Sequence, residues 1–245
     1  MYFWIHLMIS KNSLICHLLF YTLIISCRQE VKAPLVEVID AKDSVVENQD
    51  TLIPVITEPS LSTPNRVAWQ KPRLIIGLFG SDLKDKIIAD IGAGPTGFFT
   101  FELAQQGAKV LAIDIDHNAL AYIESNKSRL DSAKQSLIQT RLARAEDPNL
   151  KRGEIDGALI VNTITYIQNT RRYLESLKAK LKENGRIVIV DFKMKRLPEQ
   201  IAPPKSQRMH ADKIEDILYD LGYKNIVVDD QTLNFQYIIT ADKKE

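Results

Sequence analysis

The stretch "ADIGAGPTGFF" at residues 89–99 decides the fold of this chain. It overlaps the apolar run "KIIADI" at residues 86–91, which predicts a buried strand, and it leads into apolar residues at helical spacing. Gly92, Gly94 and Gly97 have the G-x-G-x-x-G spacing of a strand–loop–helix turn, where backbone N–H groups at a helix N-terminus meet a ligand. The sequence therefore predicts a glycine loop that binds a ligand.

Two kinds of ligand fit this loop. The spacing occurs in dinucleotide sites, and "GAGPTG" is typical of flavoproteins. Asp90 argues against a diphosphate, because its carboxylate would repel one and would attract an ammonium group directly or through water. Asp114 ends the next predicted strand, at residues 109–115, where an acid accepts hydrogen bonds from both hydroxyls of a ribose. Asp114 suits either ligand, so Asp90 is the residue that discriminates.

Strands and helices alternate along the rest of the chain. Strands are predicted at 86–91, 109–115, 137–144, 155–162 and 186–192, and two more close the chain as a hairpin. One amphipathic helix is predicted over residues 117–135, and another over residues 169–184 is expected to be stopped by Gly185. The pattern predicts an α/β fold: a doubly wound, seven-stranded, mostly parallel sheet with an antiparallel last strand and helices on both faces.

With these elements in place, the chain resembles the class I S-adenosylmethionine-dependent methyltransferases. The segments that carry the resemblance are "ADIGAGPTGFFTFELAQQGAKVLAIDID", "EDPNL", "IDGALIVNTITYI" and "LKENGRIVIVDF". The resemblance covers residues 67–242. Within the class the chain looks most like quinone-biosynthesis-type C-methyltransferases, many of which carry "LKPGGRLVIVDF" where this chain has "LKENGRIVIVDF".

The resemblance implies S-adenosylmethionine as the cofactor and assigns residues to it. The methionine part would lie against Asp90 and the loop residues Gly92, Ala93, Gly94, Pro95, Thr96 and Gly97. Asp114 would hold the ribose, Ile115 would pack on the adenine, and Ala145, Glu146 and Asp147 would border it. Asn162 would lie under the methyl group. No metal and no particular catalytic residue is implied.

The chain departs from the family pattern in three places. Pro95 and Thr96 delay the third glycine of the loop to Gly97. Arg144 stands where many relatives have an acid that meets the adenine amino group. "NTITYI" at residues 162–167 replaces a common stretch of an aromatic residue and two histidines, so a role carried by those histidines is missing here.

The N-terminal residues predict export and attachment to a membrane. Residues 14–26 are thirteen residues without a formal charge, shorter than a transmembrane helix requires and typical of a signal peptide. "IISC" at residues 24–27 resembles a bacterial lipobox, which makes Cys27 the expected site of lipidation. The predicted organisation is a signal peptide at 1–27, a flexible tether at 28–66 and a methyltransferase domain at 67–245. The expected location is the bacterial cell envelope, or alternatively the inner membrane with a cytoplasmic domain.

Three functions stay open on the sequence. The first is transfer of a methyl group by in-line displacement to an unidentified acceptor, either a small molecule or a lipid-like or quinone-like compound. The second is a flavin- or nicotinamide-binding oxidoreductase, and the third is a non-catalytic binding module of the envelope. A net charge of +1 gives no reason to expect a nucleic-acid partner.

Several further features of the sequence have either a structural or a functional interpretation. The basic run "KMKRLPEQIAPPKSQR" at residues 193–208 is either a solvated loop or a lid that attracts an acidic substrate. Trp69 and Gln70 either cover the cofactor or belong to the core. His117 and His210 are expected at the surface and not as catalytic bases.

Overall fold

The computed structural model describes residues 66–244, which form seven helices and seven strands joined by two short 3-10 turns. The helices are α1 (Arg66–Gln70), α2 (Pro72–Gly77), α3 (Phe98–Gln105), α4 (His117–Lys127), α5 (Ser132–Gln135), α6 (Thr170–Lys180) and α7 (Ala211–Asp220). The strands are β1 (Ile87–Ile91), β2 (Lys109–Asp114), β3 (Ile138–Leu142), β4 (Ile155–Val161), β5 (Leu181–Phe192), β6 (Lys224–Asp229) and β7 (Gln236–Asp242). The 3-10 turns are Ile164–Tyr166 and Lys205–Gln207.

All seven strands belong to one sheet, in the order β3-β2-β1-β4-β5-β7-β6. Strands β1 to β5 pair in parallel, whereas β7 is antiparallel to both of its neighbours, β5 and β6. The strand order reverses beside β1, so a crevice opens beyond the carboxyl ends of β1 and β4. The predicted fold class is confirmed, including the antiparallel last strand.

Alternate residues of the strands face two separate hydrophobic layers. In β1, Ala89 and Ile91 belong to one buried cluster with residues of α6 and α7, while Ile88 belongs to another with residues of α2, α3 and α4. Strand β4 is buried along nearly its whole length, as expected for a central parallel strand covered on both faces. The one charged residue of β1 is Asp90, which is buried opposite Ala112 of β2.

The helix predicted over residues 117–135 is broken into two. Helix α4 ends at Lys127, and α5 begins only at Ser132. The side chain of Asp131 accepts a hydrogen bond of 2.9 Å from the backbone N–H of Lys134, so it forms an N-cap. A residue that caps one helix cannot continue another, which makes the continuous helix wrong.

The second long helix is also shorter than predicted, and Gly185 does not stop it. Helix α6 ends at Lys180, because Leu181 is extended and fully buried as the first residue of β5. The residue with a left-handed conformation is Asn184, with φ of 59°. A Cβ on Gly185 would lie 2.9 Å from the carbonyl oxygen of Lys182, so this glycine permits a close approach of backbone within a bulge of β5.

The predicted signal peptide, the lipobox with Cys27 and the tether lie outside the described residues, except that Arg66 begins α1. Within residues 66–244, no helix has both the length and the apolar character needed to cross a bilayer.

Candidate functional site

The glycine loop after β1 is held in a backbone conformation that suits glycine. Gly92, Gly94 and Gly97 have φ of 75°, 65° and 55°. A Cβ on Gly92 would lie 2.3 Å from the Thr163 hydroxyl oxygen, and one on Gly97 would lie 2.9 Å from the Phe101 ring. At Gly94, in contrast, no atom lies within 4 Å of that position. Gly92 and Gly97 are thus needed for packing, whereas Gly94 leaves open space into which a ligand fits.

Asp114 ties the end of β2 to this loop. Its Oδ2 accepts a hydrogen bond of 2.9 Å from the backbone N–H of Gly94, and its Oδ1 accepts one of 2.9 Å from the N–H of Asp116. Each carboxylate oxygen has a second lone pair for a ligand. The acid expected to hold a ribose therefore also fixes the glycine loop beside it.

A pocket of about 250 Å³ opens next to Asp114. Its walls are mostly apolar and come from the ends of β1 and β2, from the segment after β3 and from the segment after β4. They consist of Ile91, Gly92, Ile113, Asp114, Ile115, Ala143, Arg144, Ala145, Thr163, Tyr166, Ile167 and Tyr173. Two of the apolar side chains are largely solvent-exposed, Ile115 at 65% and Tyr166 at 62%. Exposed apolar surface beside a single carboxylate fits a ligand with a flat apolar part and hydroxyl groups.

Asp90 lies beneath the loop and is not part of the pocket wall. Its side chain, in a residue only 3% exposed, accepts a hydrogen bond of 2.7 Å from the hydroxyl of Thr100 in the first turn of α3. Burial raises the pKa of Asp90 to about 6, against the lowering effects of Thr100 and of the Arg66 guanidinium. Above that pH the Asp90 side chain is negatively charged. Because it is buried under the glycine loop, it would attract the ammonium group of a ligand by electrostatics without touching it.

Asn162 follows β4 with a left-handed backbone, at φ of 55°. Its Oδ1 accepts a hydrogen bond of 2.5 Å from Gln236, whose own oxygen accepts one of 3.0 Å from Gln70. The Gln70 oxygen in turn accepts one of 2.6 Å from Arg66, whose guanidinium lies 4.2 Å above the Phe98 ring. Gln70 and Gln236 are fully buried, so this chain of side-chain hydrogen bonds fixes α1 against β7 and the end of β4.

The structure brings together only some of the residues that the sequence assigns to the cofactor. Gly92, Asp114, Ile115 and Ala145 line the pocket. The others lie around it but outside its wall: Asp90, Ala93, Gly94, Pro95, Thr96, Gly97, Glu146, Asp147 and Asn162.

The predicted adenine loop forms a tight turn. The backbone N–H and carbonyl groups of Arg144 and Asp147 pair with each other at 3.0 and 3.1 Å. This turn leaves Glu146 and Asp147 exposed, and it places Arg144 and Ala145 in the pocket wall. Arg144, noted in the sequence as a departure from the family, is thus at the site.

Four lining residues that follow β4 were not among the residues predicted from the sequence: Thr163, Tyr166, Ile167 and Tyr173. The first three lie in or next to the 3-10 turn Ile164–Tyr166, and Tyr173 lies in α6. One feature of the sequence could have indicated them. The polar residue Asn162 follows an otherwise apolar strand and marks the point where the chain leaves β4 and enters the crevice.

The remaining candidates lie apart from the pocket. Trp69 packs on Phe192 and Phe235, with ring centroids 6.3 and 5.8 Å apart, and is core. His117 and His210 are exposed at the starts of α4 and α7. Within residues 66–244, no three His, Cys, Asp or Glu side chains come together as a metal site would require.

Comparison with known proteins agrees with this geometry. Residues 89–189 match the family model described as a methyltransferase domain. No curated protein matches the chain. A solved S-adenosylmethionine-dependent methyltransferase from Aquifex aeolicus is similar in structure with a TM-score of 0.65 at 21% identity, over 74% of this chain and 93% of that one.

Two further solved structures share the fold. A phosphoethanolamine N-methyltransferase of Haemonchus contortus, solved with S-adenosylhomocysteine, has a TM-score of 0.59 at 16% identity, over 72% of this chain and 53% of that one. The cyclase SpnF has a TM-score of 0.60 at 12% identity, over 77% of this chain and 86% of that one. The chain thus spans about half of the Haemonchus protein, and its fold also serves a cyclase.

The solved structures share the fold of this chain, and residues 89–189 match a methyltransferase domain, in agreement with the resemblance seen in the sequence. The Haemonchus protein was solved with S-adenosylhomocysteine bound. The acceptor is the part that the comparisons do not identify.

Proposed function

We propose that the domain binds S-adenosylmethionine in the pocket beside Asp114 and transfers the methyl group to an organic acceptor. The observation that carries the proposal is the position of the Asp114 carboxylate. It is bonded to the N–H of Gly94 and shares one pocket with the exposed side chains of Ile115 and Tyr166. A carboxylate suits ribose hydroxyls, and the two apolar side chains suit the faces of an adenine ring.

The residues of the chain have three tasks in such a reaction. The cofactor supplies a methyl group that its sulfonium already activates. Asp114 and the glycine loop bind and orient the nucleoside, and the open space at Gly94 lets the ligand approach the backbone. Asn162, held by Gln236, lies at the end of β4 where the acceptor would meet the methyl group. The apolar pocket walls exclude water.

Calorimetry with S-adenosylhomocysteine tests the cofactor site. Asp114→Asn should weaken binding at least tenfold, because a hydrogen bond from a ligand hydroxyl to a charged group contributes about 1.5–3 kcal/mol. Asp216→Asn, an exposed change on α7, is the matched control and should leave binding unchanged. Full affinity in the Asp114 variant, or no binding by the wild type, would refute the proposal.

The same protein distinguishes the two other functions that the sequence leaves open. Binding of a flavin or nicotinamide dinucleotide in place of S-adenosylhomocysteine would favour an oxidoreductase. Binding of S-adenosylhomocysteine without transfer of a labelled methyl group to any acceptor would favour a binding module. "LKENGRIVIVDF" supports quinone-like compounds as the first acceptors to assay.

We further propose that the chain is attached to the bacterial envelope through a lipid on Cys27. Support comes from the sequence of residues 14–27, an uncharged run followed by "IISC". Cells fed labelled palmitate should label the wild type and Cys16→Ser, and should not label Cys27→Ser. Equal labelling of both variants would rule out Cys27 as the lipid site.

A further inference from the structure

The loop between β5 and α7 forms a second, open pocket that shares no lining residue with the pocket beside Asp114. It has a volume of about 540 Å³ and is formed entirely by residues 195–208. Its lining combines apolar side chains with four cationic ones and a single acid. The lining residues are Lys195, Arg196, Leu197, Glu199, Gln200, Ile201, Ala202, Pro203, Pro204, Lys205 and Arg208.

This loop pocket lies at the same edge of the sheet as the cofactor pocket. The loop leaves the carboxyl end of β5 at Phe192, and β5 runs parallel to β4, which runs parallel to β1. Leu197 and Ala202 pack with Phe192 and Trp69 in one buried cluster. The loop pocket is therefore anchored to α1, whose Arg66 lies over Phe98 at the start of α3.

Arg208 makes the loop a fixed structure. Its guanidinium donates hydrogen bonds of 2.7, 3.1 and 3.0 Å to the carbonyl oxygens of Pro203, Lys193 and Lys195. Three backbone segments are thus held around one planar group. A pocket braced in this way is preorganised, so a ligand does not have to order the loop on binding.

Among the described residues, the other cations of the pocket have no acidic partner that offsets their charge. In the described part of the chain, Lys195, Arg196 and Lys205 form no ion pair, although each is exposed and lines the pocket. Glu199 is the one acid in the lining. Burial and the nearby Lys195 ammonium lower the pKa of Lys193, against the raising effects of Asp229 and Asp230. Positive charge therefore accumulates above an apolar floor.

From this arrangement we infer that the loop pocket binds the anionic group of an acceptor that also has an apolar body, such as an aliphatic or aromatic carboxylate or phosphate. Lys195, Arg196 and Lys205 would attract the anion, and Leu197, Ile201 and Ala202 would pack on the apolar part. The inference rests on the proposed function, since it assigns the acceptor class for the reaction proposed at the same edge of the sheet.

Calorimetry on the full-length protein tests whether the loop pocket binds an apolar anion. The three probes are decanoate, the neutral 1-decanol and inorganic phosphate, each used at a concentration at which no micelles form. Decanoate should bind tighter than either of the others, because only it matches both the charge and the apolar floor. Equal binding of 1-decanol would overturn the anion requirement. Equal binding of phosphate would overturn the apolar requirement, and failure of decanoate to bind would overturn the inference as a whole.

A matched pair of triple variants locates the site. Lys195→Gln, Arg196→Gln and Lys205→Gln together should weaken decanoate binding at least tenfold. The control, Lys151→Gln, Arg152→Gln and Lys224→Gln, removes the same charges from exposed positions at the opposite edge of the sheet and should leave decanoate binding unchanged. Equal loss in both triples, or loss in neither, would overturn the assignment to the loop.

Failure of this inference can be told apart from failure of the proposed function. The loop variants should keep the wild-type affinity for S-adenosylhomocysteine, because none of their side chains lines the cofactor pocket. Wild-type protein that binds S-adenosylhomocysteine but not decanoate would overturn only the acceptor class. Protein that binds decanoate but not S-adenosylhomocysteine would overturn the cofactor.

Discussion

Gly92, Gly94 and Gly97 have similar backbone angles, but Gly92 and Gly97 are needed for packing whereas Gly94 leaves room for a ligand. Substitutions can separate these two roles. Gly92→Ala would place a methyl group 2.3 Å from the Thr163 hydroxyl oxygen. That hydroxyl already donates a hydrogen bond of 2.9 Å to the carbonyl oxygen of Val161. Gly94→Ala meets no atom within 4 Å. Both changes carry left-handed strain of about 1–2 kcal/mol, and overpacking adds about 1–3 kcal/mol to the first alone. Urea unfolding should therefore show the larger loss of stability for Gly92→Ala.

Gly94→Ala should affect binding more than stability, because its methyl group fills the space that a ligand would use. Gly153→Ala is the control: Gly153 has φ of 62°, it also has open space around its Cβ position, and it precedes β4 at the opposite edge of the sheet. We expect equal losses of stability in Gly94→Ala and Gly153→Ala, and loss of S-adenosylhomocysteine affinity in Gly94→Ala only. Equal affinity of the two variants would mean that Gly94 does not face the ligand.

At the scale of elements, the strands were predictable and the ends of helices were not. Apolar runs such as residues 86–91 can only be buried, so the sequence predicts the ends of β1 to β4 within two residues. Strand β5 is the exception, because it begins at Leu181, five residues before the predicted start at residue 186. Helix ends depend on individual hydrogen bonds and on tertiary burial. Asp131 caps α5, and Leu181 is buried in the core as the first residue of β5. The spacing of apolar residues along the sequence indicates neither of these helix ends.

The candidate site was predictable where one strand end determines it, and not where elements distant in sequence meet. Asp114 follows directly from its place at the end of β2. The contributions of Tyr166 and Tyr173 depend on how the chain turns after β4, and the contact of Gln236 with Asn162 spans 74 residues. The sequence alone puts Asp90 next to the loop, but its burial under α3 depends on which face of β1 it occupies.

At the scale of the whole molecule, two buried carboxyls set the pH dependence of stability. Burial raises the pKa of both Asp90 and Asp191 to about 6. Asp191 is 1% exposed, and one of its carboxylate oxygens has no hydrogen-bond partner among the described residues. Glu124, Glu154 and Asp242 act in the other direction: burial would raise their pKa values, but hydrogen bonds and nearby cations outweigh it and lower them.

The sign of the effect follows from where protons bind. Between about pH 7 and 5 the folded chain takes up protons at Asp90 and Asp191 while the unfolded chain, with ordinary carboxyl pKa values near 4, does not. Stability should therefore rise as the pH falls through this range, by about 1 kcal/mol for each of the two groups. Below about pH 4 the unfolded chain protonates the carboxyls whose folded pKa values are lowered, and stability should fall again.

Urea unfolding of the wild type at pH 7, 6, 5 and 4 checks this curve, which should have its maximum near pH 5. The double variant Asp90→Asn with Asp191→Asn should lose most of the rise between pH 7 and 5, since an amide keeps the volume and cannot take up the proton. Asp216→Asn, at an exposed position of α7, should keep the wild-type curve. A wild-type stability that falls steadily from pH 7 to 5, or a double variant with an unchanged rise, would show that these two carboxyls are not the groups that titrate.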